Sequence, residues 1–469
     1  MRHAASPVST APAFGGEYRA PSDPQVSRIA TGPSHPTYGR MASVLACLLL
    51  WLPSDALAGN QDLFGFGARG PGLSGAVIAF PSGFESLYYN PAGLMVGGRR
   101  TFSLGFQATA FDLSIKSPRP ADVVGIAEQE AISGVTLGVQ VRLPLRGALK
   151  DRIALGFGLY IPTKTLLSAE IPAPYTPQFS LIANRARSLS IQAGLAVEVA
   201  PWLRIGAGVR ALAGLQGRIA VAPNELGRLG SEVEDELVAR YAEIVGLQAI
   251  PHSRWSIGLV WRGALGGDYD LPVDSELGED LPLQIPSIQI AGTAVADPGQ
   301  LALHLGWKPL PGLRMETGVT WKHWKPYPLP IQNATAASPA QAPLLLQDTF
   351  VPRFGLETEH AANDSWSIQT RTGYAFEPTP VPEQTAEHTF LDGHRHIISL
   401  GLGIDYRAPE ESHFGLTMNF YGQLHLMQPR TFVKALPTGA VPVSENAAFP
   451  WISAGATIWS GGCVLEVQL

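Results

Sequence analysis

Apolar and polar residues alternate along most of the chain that follows residue 100. Between residues 135 and 145 every odd position is apolar, while the even positions carry Thr, Gly, Gln, Arg and Pro. A period of two residues is the pattern of a β-strand with one apolar face. Residues 189–199 and 203–209 repeat the pattern on either side of a short Ala-Pro-Trp turn, which predicts an antiparallel hairpin.

Alternating runs of this kind begin at about fourteen places, near residues 102, 135, 153, 189, 203, 255, 285, 301, 313, 351, 366, 396, 414 and 451. The short connections lie near 147–150, 200–202, 309–312, 361–364 and 408–412. The long connections lie near 163–187, 216–252, 327–349, 378–394 and 429–448. An even strand number with short turns at one end and long loops at the other is typical of outer-membrane barrels. We therefore predict an all-β fold, a transmembrane antiparallel β-barrel of about 14 strands.

Two links depart from this scheme, and one of the long loops has a pattern of its own. The link 266–283 is long where a short turn is expected, and the link 296–299 is short where a long loop is expected. Residues 223–247 carry apolar side chains at spacings of three and four, namely Leu226, Leu229, Val233, Leu237, Tyr241 and Ile244. That spacing predicts a helix inside a long loop, which either packs against the barrel rim or gathers ligand.

The N-terminal segment has the pattern of a secretory signal. The apolar run 42–52 is too short to span a bilayer, Arg40 precedes it, and Ala56 and Ala58 flank a cleavage site after Ala58. Residues 1–58 are then an upstream extension and signal peptide, with Met41 as the expected start. Acylation of Cys47, as in a lipoprotein, is the alternative. Because no second apolar run approaches 20 residues, any membrane span must be made of strands.

Composition narrows the function classes. A net charge of −6 with scattered Lys and Arg gives no basic surface for nucleic acid. The chain has no G-x-S-x-G, no H-E-x-x-H and no phosphate-binding glycine loop, and its histidines show metal-ligand spacing only at His394 and His396. We therefore expect no enzyme activity and no cofactor. A secreted soluble β-protein, a barrel that modifies lipids and a purely structural barrel stay open as alternatives.

Residues 59–99 do not alternate, and they carry a family resemblance. The run FGFGARGPGLSGA, followed by SLYYNPAGL, resembles the N-terminal hatch of the FadL/TodX-type outer-membrane transporters of long-chain fatty acids and aromatic hydrocarbons. Its most specific part is Asn90, Pro91, Ala92 and Gly93, where Pro91 fixes its own φ and Gly93 permits a bend. Residues 371–406, 319–327 and 200–212 are similar to later strands of the family. Two departures are FPSGFES before the tetrapeptide and a terminal Leu469 instead of an aromatic residue.

The resemblance implies a hatch at 59–99, a barrel at 100–469 and a place in the outer membrane of a Gram-negative bacterium. It also implies capture of a hydrophobic small molecule by loops, binding in the lumen and lateral release beside the hatch. The cargo is a long-chain fatty acid or, alternatively, an aromatic hydrocarbon. Expected partners are this ligand, membrane lipid and lipopolysaccharide, and the barrel assembly machinery, and we expect a monomer.

Strand parity selects candidate ligand residues. Arg210, Lys322 and Arg371 fall on the polar, inward face of their strands, where a cation could bind a cargo carboxylate. The alternative is that they pair with lumen carboxylates such as Glu198, Glu316 and Asp405. Apolar loop residues could capture cargo or simply pack the loops, and the candidates are Leu166, Leu167, Ile171, Tyr175, Phe179, Leu237 and Tyr241.

Overall fold

The structure, a computed structural model, describes residues 60–118, 128–164, 177–182, 189–223, 229–275, 288–328, 344–383, 390–408, 414–433 and 451–469. The predicted signal peptide, Met41, Cys47 and Tyr175 lie outside these ranges. No helix among the described residues is long and apolar enough to cross a membrane.

Sixteen strands of the described chain form a single sheet. They are β1 (Arg100–Lys116), β2 (Ile132–Arg142), β3 (Ile153–Pro162), β4 (Ser190–Ala200), β5 (Leu203–Pro223), β6 (Leu229–His252), β7 (Trp255–Arg262), β8 (Leu265–Ser275), β9 (Ile288–Asp297), β10 (Gly299–Leu310), β11 (Leu313–His323), β12 (Thr349–Ala361), β13 (Trp366–Glu377), β14 (Arg395–Arg407), β15 (Gly415–Val433) and β16 (Trp451–Gln468). A short 3-10 turn at Gly147–Leu149 joins β2 to β3.

Fourteen of these strands close into an antiparallel ring. β1 pairs with β16, β4 pairs with β5, and β7 pairs directly with β10, so only β8 and β9 stand outside the circular order. The ring therefore contains β1–β7 and β10–β16, which confirms the predicted all-β barrel and its strand number.

The alternation of the sequence becomes the two faces of the barrel wall. On β1, Phe102, Leu104 and Phe106 are each 47–49% exposed on the outer face, whereas Ser103 and Gln107 are buried inside. An apolar outer face and a polar inner face reverse the arrangement of a soluble barrel and suit a wall in contact with lipid hydrocarbon. The alternative of a secreted soluble β-protein does not fit this surface.

The predicted helix within 223–247 is wrong. Residues 229–252 form β6, which pairs with β5 without interruption from Leu203↔Ala249 to Pro223↔Leu229. A spacing of four residues places side chains on one face of a strand as well as on one face of a helix. The pairing with β5, which gives the backbone its hydrogen-bond partners, decided between the two.

The predicted barrel strand near residue 285 is also wrong. The described residues that follow it, Ile288–Asp297, form β9, which pairs with β8 in a hairpin outside the ring, and β8 in turn pairs in parallel with β5. Residues 263–298 are thus one long connection between β7 and β10. With β6 counted as a strand, this connection lies at the long-loop end of the barrel. The long link 266–283 and the short link 296–299, which did not fit the sequence pattern, are therefore both parts of one long connection.

Residues 60–99, the hatch, fold into short helical pieces inside the ring. They are α1 (Asn60–Phe64), α2 (Arg69–Gly72), α3 (Ser86–Tyr89) and a 3-10 helix (Pro91–Met95). Almost every side chain from Asn60 to Met95 is buried or half-buried. The hatch runs from the long-loop end, where α1 lies near the end of β11, to the short-turn end, where β1 begins at Arg100.

Candidate functional site

Asn90 ties the hatch together and joins it to the barrel wall. Its Oδ1 accepts from the backbone N–H of Ala92 at 3.2 Å, and its Nδ2 donates to the carbonyls of Ile78 at 2.8 Å and Leu247 at 3.1 Å. The residue is extended, with φ −159° and ψ 103°, and Pro91 then opens the 3-10 helix. Extended geometry before a proline is what the ring of Pro91 favours.

Wall glycines leave room for this turn. A Cβ on Gly206 of β5 would collide with Pro91 and Ala92, and a Cβ on Gly246 of β6 would collide with Asn90. The expected role of Gly93 as a bend needs correction, because its own φ is not in the left-handed region. A side chain there would instead strike Pro81 and Ser86.

Glu85 organises the hatch from within. Its carboxylate accepts from three consecutive backbone N–H groups, those of Ala68 at 2.7 Å, Arg69 at 2.9 Å and Gly70 at 2.8 Å. Burial raises the pKa of the Glu85 carboxyl above its ordinary value, while these donors and the charge of Arg69 oppose that rise. Sequence reasoning missed this role, although Glu85 is the acidic residue of FPSGFES.

Glu316 of β11 binds the hatch from the barrel wall in the same way as Glu85 binds it from within. Its carboxylate accepts from the backbone N–H groups of Ile78 at 2.5 Å, Ala79 at 3.0 Å and Phe80 at 3.0 Å. The same carboxylate lies 2.8 Å from Nδ1 of His304. Glu316 is therefore an anchor for the hatch and does not pair with the candidate cations.

One ion pair and two hydrogen bonds attach the hatch to strands β12 and β14. Arg69 of the hatch pairs with Glu357 of β12 at 2.6 Å, and Arg353 of β12 donates to the carbonyl of Ser74 at 2.5 Å. Ser74 and Ser399 are also joined, with Oγ atoms 2.7 Å apart. The strands β11 to β14 thus carry most of the polar contacts named here.

Two of the three candidate cations already have carboxylate partners. Lys322 is fully buried and donates to Asp62 at 2.9 Å and to Glu377 at 2.6 Å. Arg371 donates to Glu357 at 3.1 Å and to Asn419 at 2.7 Å. The alternative that these cations pair with carboxylates is the better description, although the partners are not those expected.

The expected partners are engaged elsewhere. Glu198 lies 3.1 Å from Arg204, and Asp405 accepts from Gln369. Strand parity predicts the face on which a residue lies, but it does not predict which residue it will pair with.

Arg210 has a different environment, which it shares with Arg262. Arg210 donates to the carbonyl of Gly263 at 2.9 Å, and Arg262 donates to Gln300 at 2.7 Å. Both guanidinium groups lie over the ring of Tyr88, at 6.0 Å and 4.6 Å from its centroid. Neither arginine forms an ion pair with a residue that the structure describes. Sequence reasoning missed Arg262, although strand parity places it inward like Val260.

Phe179 and Tyr241, the predicted capture residues whose side chains the structure describes, lie on different surfaces, whereas Leu166, Leu167 and Ile171 fall outside the described residues. Phe179 is 2% exposed and packs in an apolar cluster at the long-loop end, with Phe64 of the hatch and Phe390 as further members. Tyr241 is 61% exposed on the outer face of β6, away from the lumen. Leu237 lies on β6 with its side chain outside the described part, as is all of Tyr175. For Phe179, loop packing is the observed arrangement.

A cavity of about 310 Å³ lies at the long-loop rim between β6, β7 and the chain that follows β11. We name it the rim cavity and define it by its lining residues Glu243, Trp261, Ala264, Pro298, Trp324 and Tyr327. A smaller cavity of about 40 Å³ lies inside, beside Asp62, Tyr88 and Arg262. Among the described residues no group of three potential metal ligands is present.

Comparison with solved structures identifies the fold. A FadL homologue of Pseudomonas aeruginosa matches 86% of this chain and 98% of its own with a TM-score of 0.55 at 13% identity. The toluene transporters TbuX of Ralstonia pickettii and TodX of P. putida each match 87% of this chain and 99% of their own, with TM-scores of 0.47 and 0.48 at 15% and 14% identity. No family model and no curated protein matches the sequence. The first match confirms the predicted fold, a 14-stranded barrel with an N-terminal segment ahead of it.

Proposed function

We propose that this barrel carries hydrophobic compounds across the outer membrane of a Gram-negative bacterium. The observation that carries the proposal is a barrel whose apolar face is outside and whose polar interior holds a hatch anchored by buried ion pairs. The described hatch residues from Asn60 to Met95 are buried or half-buried within the ring. A compound that enters must therefore move the hatch or leave through the wall beside it.

The proposed route begins at the long-loop end, where apolar side chains surround α1. Leu63 and Phe64 of the hatch pack there against residues of loops and of β15 and β16. The packed cluster supplies the apolar environment that a hydrophobic cargo needs, and its loop members are held by contacts that cargo could replace. Capture by loops, binding in the lumen and lateral release beside the hatch follow in that order.

Two cargo classes make different demands on the lumen. A long-chain fatty acid needs a cation for its carboxylate, and within the candidate set Lys322 and Arg371 are already neutralised by carboxylates. Arg210, with Arg262 beside it, is the candidate that a carboxylate could still bind. An aromatic hydrocarbon needs no cation. The resemblance of residues 59–99 to the family of fatty acid and aromatic hydrocarbon transporters covers both classes.

The remaining parts of the proposal follow from the surface of the barrel. Its apolar outer face implies contact with lipid and, in the outer leaflet, with lipopolysaccharide, and insertion by the barrel assembly machinery. We propose a monomer, and a transport role rather than catalysis. A purely structural barrel would have no need for a hatch held by this many buried charges.

Uptake by living cells tests the function. Initial rates of labelled oleate and labelled toluene uptake are measured in cells that lack the gene and in cells that regain it or its Asn90→Ala variant. Restored uptake of either compound by the wild-type gene, with a changed rate for Asn90→Ala, supports transport. Equal uptake of both compounds with and without the gene contradicts it. A shift in gel migration between boiled and unboiled protein shows that each variant forms a barrel.

A further inference from the structure

The turn that joins β2 to β3 is rich in exposed cations. We call residues 143–152 the basic turn. Its exposed cations are Arg146, Lys150 and Arg152. Its one acidic residue is Asp151, whose carboxylate lies 3.5 Å from the guanidinium group of Arg99, outside the turn. None of the three cations forms an ion pair with a residue that the structure describes.

Arg100 adds a further cation beside the basic turn. It is the first residue of β1, it is exposed, and it has the outward parity of Phe102 and Leu104. In the sheet it lies opposite Val141, next to the end of β2. Like the cations of the basic turn, it forms no ion pair within the described part of the chain. The outer edge of the wall at β1 to β3 is therefore positively charged.

The apolar outer face of the wall continues into the basic turn. The backbone N–H of Leu143 donates to the carbonyl of Ile153 at 2.8 Å, so the pairing of β2 with β3 extends into the turn. Leu145 and Leu149 are 36% and 50% exposed, and Leu155 on the outer face of β3 is 43% exposed. Apolar side chains and cations thus lie side by side at this edge, which is the composition of a surface at a membrane interface.

Backbone hydrogen bonds define the shape of the basic turn. The N–H of Lys150 donates to the carbonyl of Gly147 at 3.2 Å, and that of Arg152 donates to the carbonyl of Leu149 at the same distance. Gly147 and Asp151 have φ values of +69° and +55°, left-handed conformations that let the chain reverse sharply. Because the backbone is already ordered, less conformational entropy is lost when the turn binds a ligand.

The basic turn lies at the short-turn end of the barrel, which faces the periplasm in outer-membrane proteins. Its exposed surface therefore meets the inner leaflet of the outer membrane. Two other turns at that end differ in charge. The turn between β12 and β13 carries Asp364 and no cation, and the turn between β6 and β7 carries one cation, Arg254. The basic turn has more cations than either of them.

We propose that the basic turn and Arg100 bind an anionic phospholipid of the inner leaflet. The phosphate contacts the cations, and the acyl chains lie along Leu145, Leu149 and the outer face of β1 to β3. A phosphodiester accepts charge-assisted hydrogen bonds from Arg and Lys, and each cation beside an anionic lipid surface strengthens binding. A soluble acidic partner would leave the two leucines without an apolar contact. The inference goes beyond the transport function, because lipid binding requires no cargo.

Dioleoyl phosphatidylglycerol and dioleoyl phosphatidylcholine form a matched pair of probes, because they share acyl chains and differ in headgroup charge. Binding of the first molecule of each to the purified, lipid-free full chain in detergent is measured by native mass spectrometry. We expect the wild type to bind the anionic lipid about tenfold more tightly. A triple variant, Arg146→Gln with Lys150→Gln and Arg152→Gln, should lose most of that preference. Leu145→Ser with Leu149→Ser should weaken the binding of both lipids.

A second triple variant is the matched control. Lys116→Gln, Arg254→Gln and Arg407→Gln remove the same charge at other exposed positions, and together they should leave the preference unchanged. Equal affinity of the wild type for both lipids, or an equal loss of preference in the two triple variants, overturns the inference. Displacement of the anionic lipid by an equal concentration of glycerol phosphate also overturns it, because the site would then bind the anion alone. The assay contains no cargo, so its outcome is independent of whether gene deletion changes uptake.

Discussion

Lys322 of β11 donates to Asp62 of the hatch at 2.9 Å, across 260 residues of sequence. The same ammonium group donates to Glu377 of β13, whose other oxygen lies 3.2 Å from Arg395 of β14. Two cations and two carboxylates thus form a chain that links α1 to three strands. Because all four side chains are buried, each charge depends on its neighbours for stabilisation.

Removal of the central cation should loosen the hatch. Lys322→Met leaves Asp62 and Glu377 facing each other without a charge between them, and loss of one partner of a buried ion pair costs about 3–5 kcal/mol. We expect a lower unfolding temperature and larger ion conductance in planar bilayers. Lys322→Arg keeps the charge and should retain most of the wild-type behaviour.

The double variant Asp62→Asn with Lys322→Met tests whether the effect belongs to the pair. It should recover part of the stability that Lys322→Met loses, because one uncompensated charge is removed with its partner. If the loss of stability in the double variant equals the sum of the losses in Asp62→Asn and Lys322→Met, the two residues act independently.

Glu316 should control how firmly the middle of the hatch is held. Glu316→Gln keeps the size of the side chain but has one acceptor oxygen where the carboxylate uses two, for Ile78, Ala79 and Phe80. Each hydrogen bond to a charged group contributes about 1.5–3 kcal/mol. We expect faster amide hydrogen exchange at residues 78–80, with strand amides unchanged. Unchanged exchange at these three amides would contradict the anchoring role.

Gly246 tests the close approach of Asn90 to the wall. Gly246→Ala places a Cβ against Oδ1 of Asn90, so the turn must shift, at a cost of about 1–3 kcal/mol for overpacking. Uptake of cargo should change with it, as should the thermal unfolding of the barrel. Gly422→Ala is the control, because a Cβ there meets nothing within 4 Å. Equal effects of the two substitutions would indicate a general cost of changing a strand glycine.

The sequence predicted the barrel because alternation is local. In each of the strands β1 to β4, the alternation within the strand itself shows which face is apolar and which is polar. The polar face lies inward, as at Ser103 and Gln107. The misassignment of β6 has the same origin. At a spacing of four, helix and strand patterns coincide, and only the partner strand β5 distinguishes them.

The site was less accessible to sequence reasoning because its contacts join distant residues. Asn90 was recognisable from its tetrapeptide, but the hatch partners of Glu316 lie more than 230 positions away. Parity correctly placed Lys322, Arg371 and Arg210 inside the barrel, yet it could not tell which of them meets a carboxylate. The same parity also places Arg262 inside, whereas the direct pairing of β7 with β10 joins strands that are distant in sequence, and no local pattern predicts it.

Glu85 should make the hatch sensitive to pH. Burial raises the pKa of its carboxyl above the ordinary 4.5, so the folded hatch binds more protons than the unfolded chain in the interval between the two values. Stability from this group is therefore present at low pH and lost as pH rises through the folded pKa. We expect the exchange protection of residues 68–70, corrected for intrinsic rates, to fall across that interval. Glu85→Gln cannot ionise, so its protection should be lower in magnitude but constant with pH; a slope equal to that of the wild type would assign the pH dependence to another group.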